Sequence, residues 1–154
     1  MKTNYFVIPF LVLLAACAGN VFTSRGMEWY KTIIIPPWTP SGGFIGLVWT
    51  IIFILSAVSA LIFWNKSGRD KRFWLILTLF LLNAGLNVFW SQLFFVRHLI
   101  AVALTEMILL WISTVLLIVF LRRISRLAAW LLLPYVLWVA FAAYLTYQIL
   151  ILNK

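Results

Sequence analysis

Few residues in this 154-residue chain could carry acid–base, nucleophilic or metal chemistry, and they do not cluster. There is one histidine, His98, one cysteine, Cys17, and three acidic residues, Glu28, Asp70 and Glu106. Hydrolysis by paired carboxylates needs two acids facing one bond, and a thiolate metal site or an internal disulfide needs more than one cysteine. A phosphate-binding glycine loop is missing as well, so neither a hydrolytic centre nor a metal site is expected. The excess lies in the aromatic residues, above all nine tryptophans. Their chemistry is that of flat apolar surfaces with one N–H donor each, suited to stacking on a planar molecule.

The elements that must position them are set by lipid. Hydrophobic residues make up 66% of the chain and charged ones 10%, against about 25% charged in soluble domains. Crossing a hydrocarbon core takes about 20 apolar residues in a helix, and five stretches qualify: Tyr5 to Thr23, Phe44 to Trp64, Phe73 to Phe95, Leu99 to Leu121 and Leu127 to Leu152. The expected fold is an all-α integral membrane bundle of five transmembrane helices, one domain over residues 1–154, without internal repeats. Twelve basic residues against three acidic ones give a formal charge of +9. That excess sits between the apolar runs, where retention of Lys and Arg on the cytoplasmic side accounts for it better than nucleic acid would. Eight fall on one side (Lys2, Lys66, Arg69, Lys71, Arg72, Arg122, Arg123, Arg126) and four on the other (Arg25, Lys31, Arg97, Lys154). The amino terminus is therefore placed in the cytoplasm, with the first loop and the carboxyl terminus outside the cell membrane.

Two segments keep alternative readings. Leu14-Ala15-Ala16-Cys17 resembles a lipoprotein signal with Cys17 as the lipidated residue, whereas the apolar run continues to Phe22 and Ala15 with Gly19 makes a small-residue helix contact. The connection from Arg25 to Gly43 is too long for a hairpin between neighbouring helices. It carries Trp29, Tyr30, Ile33 and Ile34, then Pro36-Pro37-Trp38-Thr39-Pro40, whose prolines forbid a regular helix. Such a segment serves either as an aromatic-bearing lid over the outer mouth or as a plain interfacial anchor.

Polar residues inside spans are costly and therefore informative. Helical spacing places Asn83, Asn87, Trp90 and Phe94 on one face of the third helix, and Pro134, Trp138, Phe141, Leu145 and Gln148 on one face of the fifth, with Ala142 leaving room beside Trp138. Trp49 and Trp90 each lie about five residues in from the outer end, so they share a layer with the two amides slightly deeper. Together with Trp38 these residues have the makeup of a pocket for a flat apolar ligand carrying a few polar groups, while the amides alone are equally consistent with interhelical hydrogen bonding. Trp29, Trp64, Trp74 and Trp130 read as anchors in the aromatic belt, His98 as a solvated turn residue, and Trp111 has no evident role. Glu106, the one carboxylate within a span, is either protonated, solvated in a wet cavity, or paired with Arg25 or Arg97.

These blocks match a known pattern. Trp29-Tyr30 followed by Pro37-Trp38-Thr39-Pro40, then Phe44 to Trp49-Thr50, then Leu86-Asn87-Val88-Phe89-Trp90 with Phe94-Phe95, then Pro134-Tyr135-Val136-Leu137-Trp138-Val139-Ala140-Phe141-Ala142 resemble the TspO/MBR family of translocator and tryptophan-rich sensory proteins, also called peripheral benzodiazepine receptors. The resemblance covers essentially the whole chain and points to a bacterial member. It implies a five-helix bundle, commonly a homodimer, with an outer pocket closed by the first loop. The implied ligands are porphyrins such as protoporphyrin IX and benzodiazepine-type molecules, with no further cofactor required; bacterial relatives are linked to tetrapyrrole handling. By matching position, pocket roles pass to Trp38, Trp49, Asn87, Trp90, Trp138 and Ala142, and Asn83 joins them from the stripe argument. The animal sterol motif fails here, because six residues separate Tyr147 from Lys154, and Val102 stands where animal members have tryptophan.

Three functions fit this reading: a receptor or carrier for porphyrin-sized ligands, a photo-oxidative porphyrin-degrading enzyme using Trp49 and Trp138, and a transporter using Glu106 as a proton site. Tryptophan is the most readily oxidised aromatic side chain, so light absorbed by a bound porphyrin could oxidise Trp49 or Trp138 without any acid–base pair. Illumination of the protein with porphyrin and oxygen checks the second reading: tetrapyrrole loss above a free-tryptophan control is expected of an enzyme, and loss equal to the control removes it.

Overall fold

The computed structural model describes residues 3–154; Lys2, counted above on the inner side, lies outside the described residues. Six α-helices make five crossings: α1 (Asn4–Tyr30), α2 (Gly42–Lys66), α3 (Lys71–Ser91), α4 (Ile100–Leu121), α5 (Arg126–Trp130) and α6 (Leu133–Leu152). A π-helical turn, Gln92–Val96, continues α3, and α5 with α6 forms the fifth crossing. Each crossing is long and apolar enough to span a bilayer. At the end of the bundle bearing Lys66 to Arg72 and Arg122 to Arg126, called the inner end for that basic cluster, the helix starts are fixed by side chains that accept a free backbone N–H. Asp70 accepts from Phe73 N at 2.9 Å and Ser125 from Ala128 N at 3.4 Å.

The middle of the bundle is α4. Ala103, Met107, Leu110, Thr114, Leu117 and Leu121 recur every three or four residues and are all buried, so one face of the helix is wholly enclosed. Both α3 and α6 pack closely along it, and α1 closes the bundle against α2 and α3. Tyr135, Val139 and Ile149 bring α6 into the core, with Phe63, Phe73 and Ile76 filling its inner end.

Two spans and one turn differ from expectation. The first helix does not stop at Thr23 but runs to Tyr30, leaving a loop of Lys31 to Ser41 in place of Arg25 to Gly43. The cause is tertiary packing: Trp29 and Tyr30 lie against Phe94 and Phe95, and burial of those rings holds the extra turns. Gly26 permits it, since a methyl group there would overlap the backbone of Phe95. The fifth span is broken at Leu131 and Leu132, because Pro134 cannot donate to the preceding turn and instead starts a new helix. Its inner piece, α5, is tied to α2 by Ser59 Oγ donating to Ala128 O at 2.7 Å. The turn after the third span places His98 at φ 56°, a left-handed backbone that few non-glycine residues adopt. Rather than being merely solvated, His98 stacks on Trp29 with ring centroids 4.2 Å apart.

Rotation of the fifth helix also differs from expectation. Its buried positions are Tyr135, Val139, Leu145, Thr146 and Ile149. Pro134 is exposed, while Trp138, Phe141 and Gln148 are half-buried on the flank. Both i±3 and i±4 steps fit the apolar pattern, so the apolar residues alone do not choose between the two neighbouring stripes.

The close approach of α1 to the π-turn is testable. Gly26→Ala should cost about 2 kcal/mol through overpacking against a backbone that cannot retreat, read as a lowered melting temperature of the detergent-solubilised protein, whereas Gly43→Ala, in open space, should melt as the parent does.

Candidate functional site

Within the membrane-spanning core the polar side chains divide into those with partners and those without. Asn83 Nδ2 donates to Ser113 Oγ at 2.8 Å and Thr114 Oγ1 at 2.9 Å, pinning α3 to α4. Asn87 Nδ2 donates to Tyr135 OH at 3.2 Å, pinning α3 to α6. Sequence reasoning did not single out Tyr135; its place directly after Pro134 was the available signal. Among the described residues, Trp90 Nε1, Trp138 Nε1 and both carboxyl oxygens of Glu106 are buried without a hydrogen-bond partner. Glu106 is only 5% exposed, and the ion pair with Arg25 or Arg97 is not made. Its α4 neighbours Ala103 and Leu110 share buried clusters with residues of α6, and α4 packs closely on that helix.

Two groups of aromatic residues lie toward the loop, apart from the Phe63, Trp64, Phe73 and Phe80 cluster at the other end of the bundle. In the first, a run of rings crosses from the loop to α6 and on to α2. Trp38 meets Phe141 edge-on with centroids 6.0 Å apart, Phe141 meets Trp138 at 5.3 Å, and Trp138 meets Phe44 at 6.2 Å. Trp38 also stacks on Tyr144 at 5.6 Å. Below them Trp49 stands edge-on to Tyr135 at 6.0 Å, so the hydrogen bond to Asn87 continues an aromatic path from α2 to α3. In the second group Trp90 stacks on Phe94 at 5.3 Å and meets Phe95 edge-on at 5.9 Å, joining the cluster under Trp29 and Tyr30. Trp49 is thus linked to Asn87 through Tyr135, whereas Trp90 joins the rings under Trp29 and Tyr30, so the two tryptophans belong to different aromatic groups.

The loop is fastened rather than draped. Ile34 N donates to Asn153 Oδ1 at 2.9 Å and Asn153 Nδ2 donates back to Ile34 O at 2.8 Å, joining residues 119 apart in sequence. From there it descends along α6 to Trp38 and turns at Pro36–Thr39, with Thr39 N donating to Pro36 O at 3.0 Å. It therefore lies beside the outer half of α6, next to the start of α2.

A separate cavity of about 100 Å³ lies between α1, α2 and α3. Asn83, Asn87 and Tyr135 line it, together with Ser56 and Ala84, whereas Trp38, Trp49, Trp90, Trp138 and Ala142 do not. The structure thus splits the expected site: the amides face inward to this cavity, and the tryptophans gather on the other side of Tyr135. The remaining tryptophans sort by exposure. Trp74 and Trp130 are exposed, as surface anchors should be, and Trp111 also faces outward from α4, away from the core. Trp29 and Trp64 are half-buried, the first under His98 and the second beneath the guanidinium of Arg69, 4.5 Å from its ring. Cys17 is exposed midway along α1. Residues before it hold the inner end of that helix, where Asn4 Nδ2 donates to Asn65 Oδ1 at 3.3 Å.

Comparison with known proteins gives a concordant result. The family model described as TspO/MBR family matches residues 7–152. A tryptophan-rich protein TspO of Bacillus cereus is 37% identical, with 99% of each chain covered. The protein of the same name from Chlorobaculum tepidum is 35% identical over 93% of this chain and 91% of its own. The translocator protein of Ovis aries is 29% identical over 80% of this chain and 74% of its own.

The fastening of the loop can be measured directly. Replacing Asn153 by alanine removes two hydrogen bonds worth about 1 kcal/mol each. Amide exchange over residues 31–41 should accelerate roughly tenfold or more while exchange in α4 stays unchanged; equal rates in the loop would show that Trp38 stacking alone holds it.

Proposed function

The chain belongs to the TspO/MBR family and is a multi-pass membrane protein, and from that premise we propose that it is a membrane receptor or carrier for flat tetrapyrroles of the protoporphyrin IX kind and for benzodiazepine-type molecules. The ligand lies among Trp38, Trp49, Trp90, Trp138 and Ala142, under the first loop, with Asn87 at its inner limit. The observation that carries this reading is the set of buried polar groups left without protein partners: Trp90 Nε1, Trp138 Nε1 and the Glu106 carboxyl. Such groups cost about 1–3 kcal/mol each when nothing meets them, and a ligand bearing acceptors and a donor would meet all three. The small side chain of Ala142, one turn after Trp138, supports the same location.

Binding then requires the run of rings from Trp38 to Phe44 to part, since these rings touch one another in the structure. The loop is the element that yields, for besides the packing of Ile33 on the buried cluster of Phe94 and Phe95 it is held by the Asn153 pairing and the Trp38 stack on α6. We place the loop and the carboxyl terminus outside and the clustered Lys and Arg between α2 and α3 inside, on the basic-residue distribution. A porphyrin thus reaches the site from the outer side.

The test is a titration of protoporphyrin IX followed by its own absorption, in detergent or nanodiscs. Trp49→Phe combined with Trp138→Phe should weaken binding about tenfold, the scale of two lost aromatic pairings, with the melting temperature near that of the parent. Unchanged affinity in the folded double variant would place the ligand elsewhere.

A further inference from the structure

The cavity between α1, α2 and α3 is separate from the tryptophan site and carries its own signals. Its walls are aromatic and aliphatic, with Phe53, Phe63, Trp64 and Phe80 contributing rings, and no charged residue lines it. Polar groups come from Asn83, Asn87, Tyr135 and Ser56. Asn83 and Asn87 are 6% and 7% exposed, and Ser56 Oγ is buried with no partner among the described residues. Ser56 stands at about the level of Asn83. On α2 it is midway between Trp49, which reaches Asn87 through Tyr135, and Phe63, which stacks on Phe73 and Phe80. The polar atoms therefore lie toward the outer end of the cavity beside Phe53, and the rings of Phe63, Trp64 and Phe80 toward its inner end.

Access is sideways. Leu11 on α1 and Leu81 on α3 line the cavity and are exposed on the lipid-facing surface. Leu11, Ala15 and Ala84 also line an open groove along the same α1–α3 seam, which runs outward past Ala18 and Gly85. Small residues on both helices leave this seam loosely filled, with open space beside Gly85, so the cavity opens toward the bilayer.

We propose that this cavity is a second binding site, filled from the lipid phase, for a neutral single-ring molecule carrying one hydroxyl, a simple phenol. A volume of about 100 Å³ is on the scale of one six-membered ring; apolar cavities of about 150 Å³ in other proteins take up benzene. The ring packs among Phe53, Phe63 and Phe80, and the hydroxyl both donates and accepts at Ser56 and the asparagine amides. A second polar group would meet only apolar wall and pay for its desolvation, and a charged group would find no counter-charge. This inference does not rest on the porphyrin reading.

The probe is 4-fluorophenol, with fluorobenzene as its hydroxyl-free counterpart, each titrated by fluorine NMR against the full chain in nanodiscs and against empty nanodiscs. Saturable 4-fluorophenol binding is expected. It should be lost at least tenfold in Ala84→Phe, which fills the seam, and weakened about fivefold in Ser56→Ala, the scale of one hydrogen bond. Fluorobenzene should bind more weakly than 4-fluorophenol and respond to Ala84→Phe but not to Ser56→Ala. Should Ala84→Phe fail to melt cooperatively, Ala15→Phe closes the seam from the other helix. Absence of saturable binding, or equal 4-fluorophenol affinity in the parent and the seam-filled variant, overturns the site. Indifference to Ser56→Ala overturns the hydroxyl assignment. Protoporphyrin affinity should be unchanged in Ala84→Phe, so failure of either site is read separately from the other.

Discussion

Inside a bilayer a polar side chain has no water to turn to, so its position is decided by whether another protein group can meet it. Asn83 meets Ser113 and Thr114, Ser59 meets a carbonyl of α5, and Asn87 meets Tyr135. Those three connections join α3 to α4, α2 to α5 and α3 to α6, which covers most of the bundle. Each is modest alone, since interhelical hydrogen bonds in membranes average about 0.6 kcal/mol. Their combined effect is on register: with apolar surface outside and inside alike, sliding a helix past its neighbour changes little except these partners. Among the described residues Trp90, Trp138, Glu106 and Ser56 stand out as core groups that no protein partner meets.

The aromatic content follows from the same condition. In the crossing formed by α5 and α6, the inner piece is attached to α2 through Ala128 and the outer piece packs on α4. The backbone of α2 packs closely on α1 and α5 but reaches α6 through Phe44 against Trp138 and Trp49 against Tyr135. Large flat side chains thus fill a space that smaller ones would leave open. Beyond Trp138, α6 continues for about 21 Å of helix to Leu152, and the loop from Lys31 to Ser41 lies alongside that outer part.

Much of this was legible from residue types. Five apolar runs of sufficient length dictate five crossings, and the stripe of Asn83, Asn87, Trp90 and Phe94 does face protein. Proline at 134 announces a start, though the separation of α5 from α6 needed the pairing of Ser59 with Ala128 to become visible. Other features depend on distant partners. Gly26 inside α1 looks like a helix weakness until Phe95 is seen against it, and Asn153 looks like a frayed terminus until Ile34 is found beside it. The division of the candidate site at Tyr135 has the same origin: helical spacing assigns a face to each residue but not the partners it meets on other helices, so Trp49 and Trp90 could be put together although they join different aromatic groups.

The length of α1 has a mechanical consequence. Its 27 residues span about 40 Å of helix, whereas a hydrocarbon core is about 30 Å thick, so the helix must tilt or lift its ends into the headgroups. Although α1 packs along α2, α3 and the π-turn, only its Asn4, Gly19 and Gly26 are buried, so between those points its side chains are not enclosed. Between those points lie Ala15 and Ala18, facing Ala84 and Gly85 across the loosely filled seam. Thinning the membrane increases the lean of α1, and the seam is where that lean is absorbed. Bilayer thickness thereby becomes a variable that sets the width of the path into the interior, so the lipid acts on this protein as a load as well as a solvent.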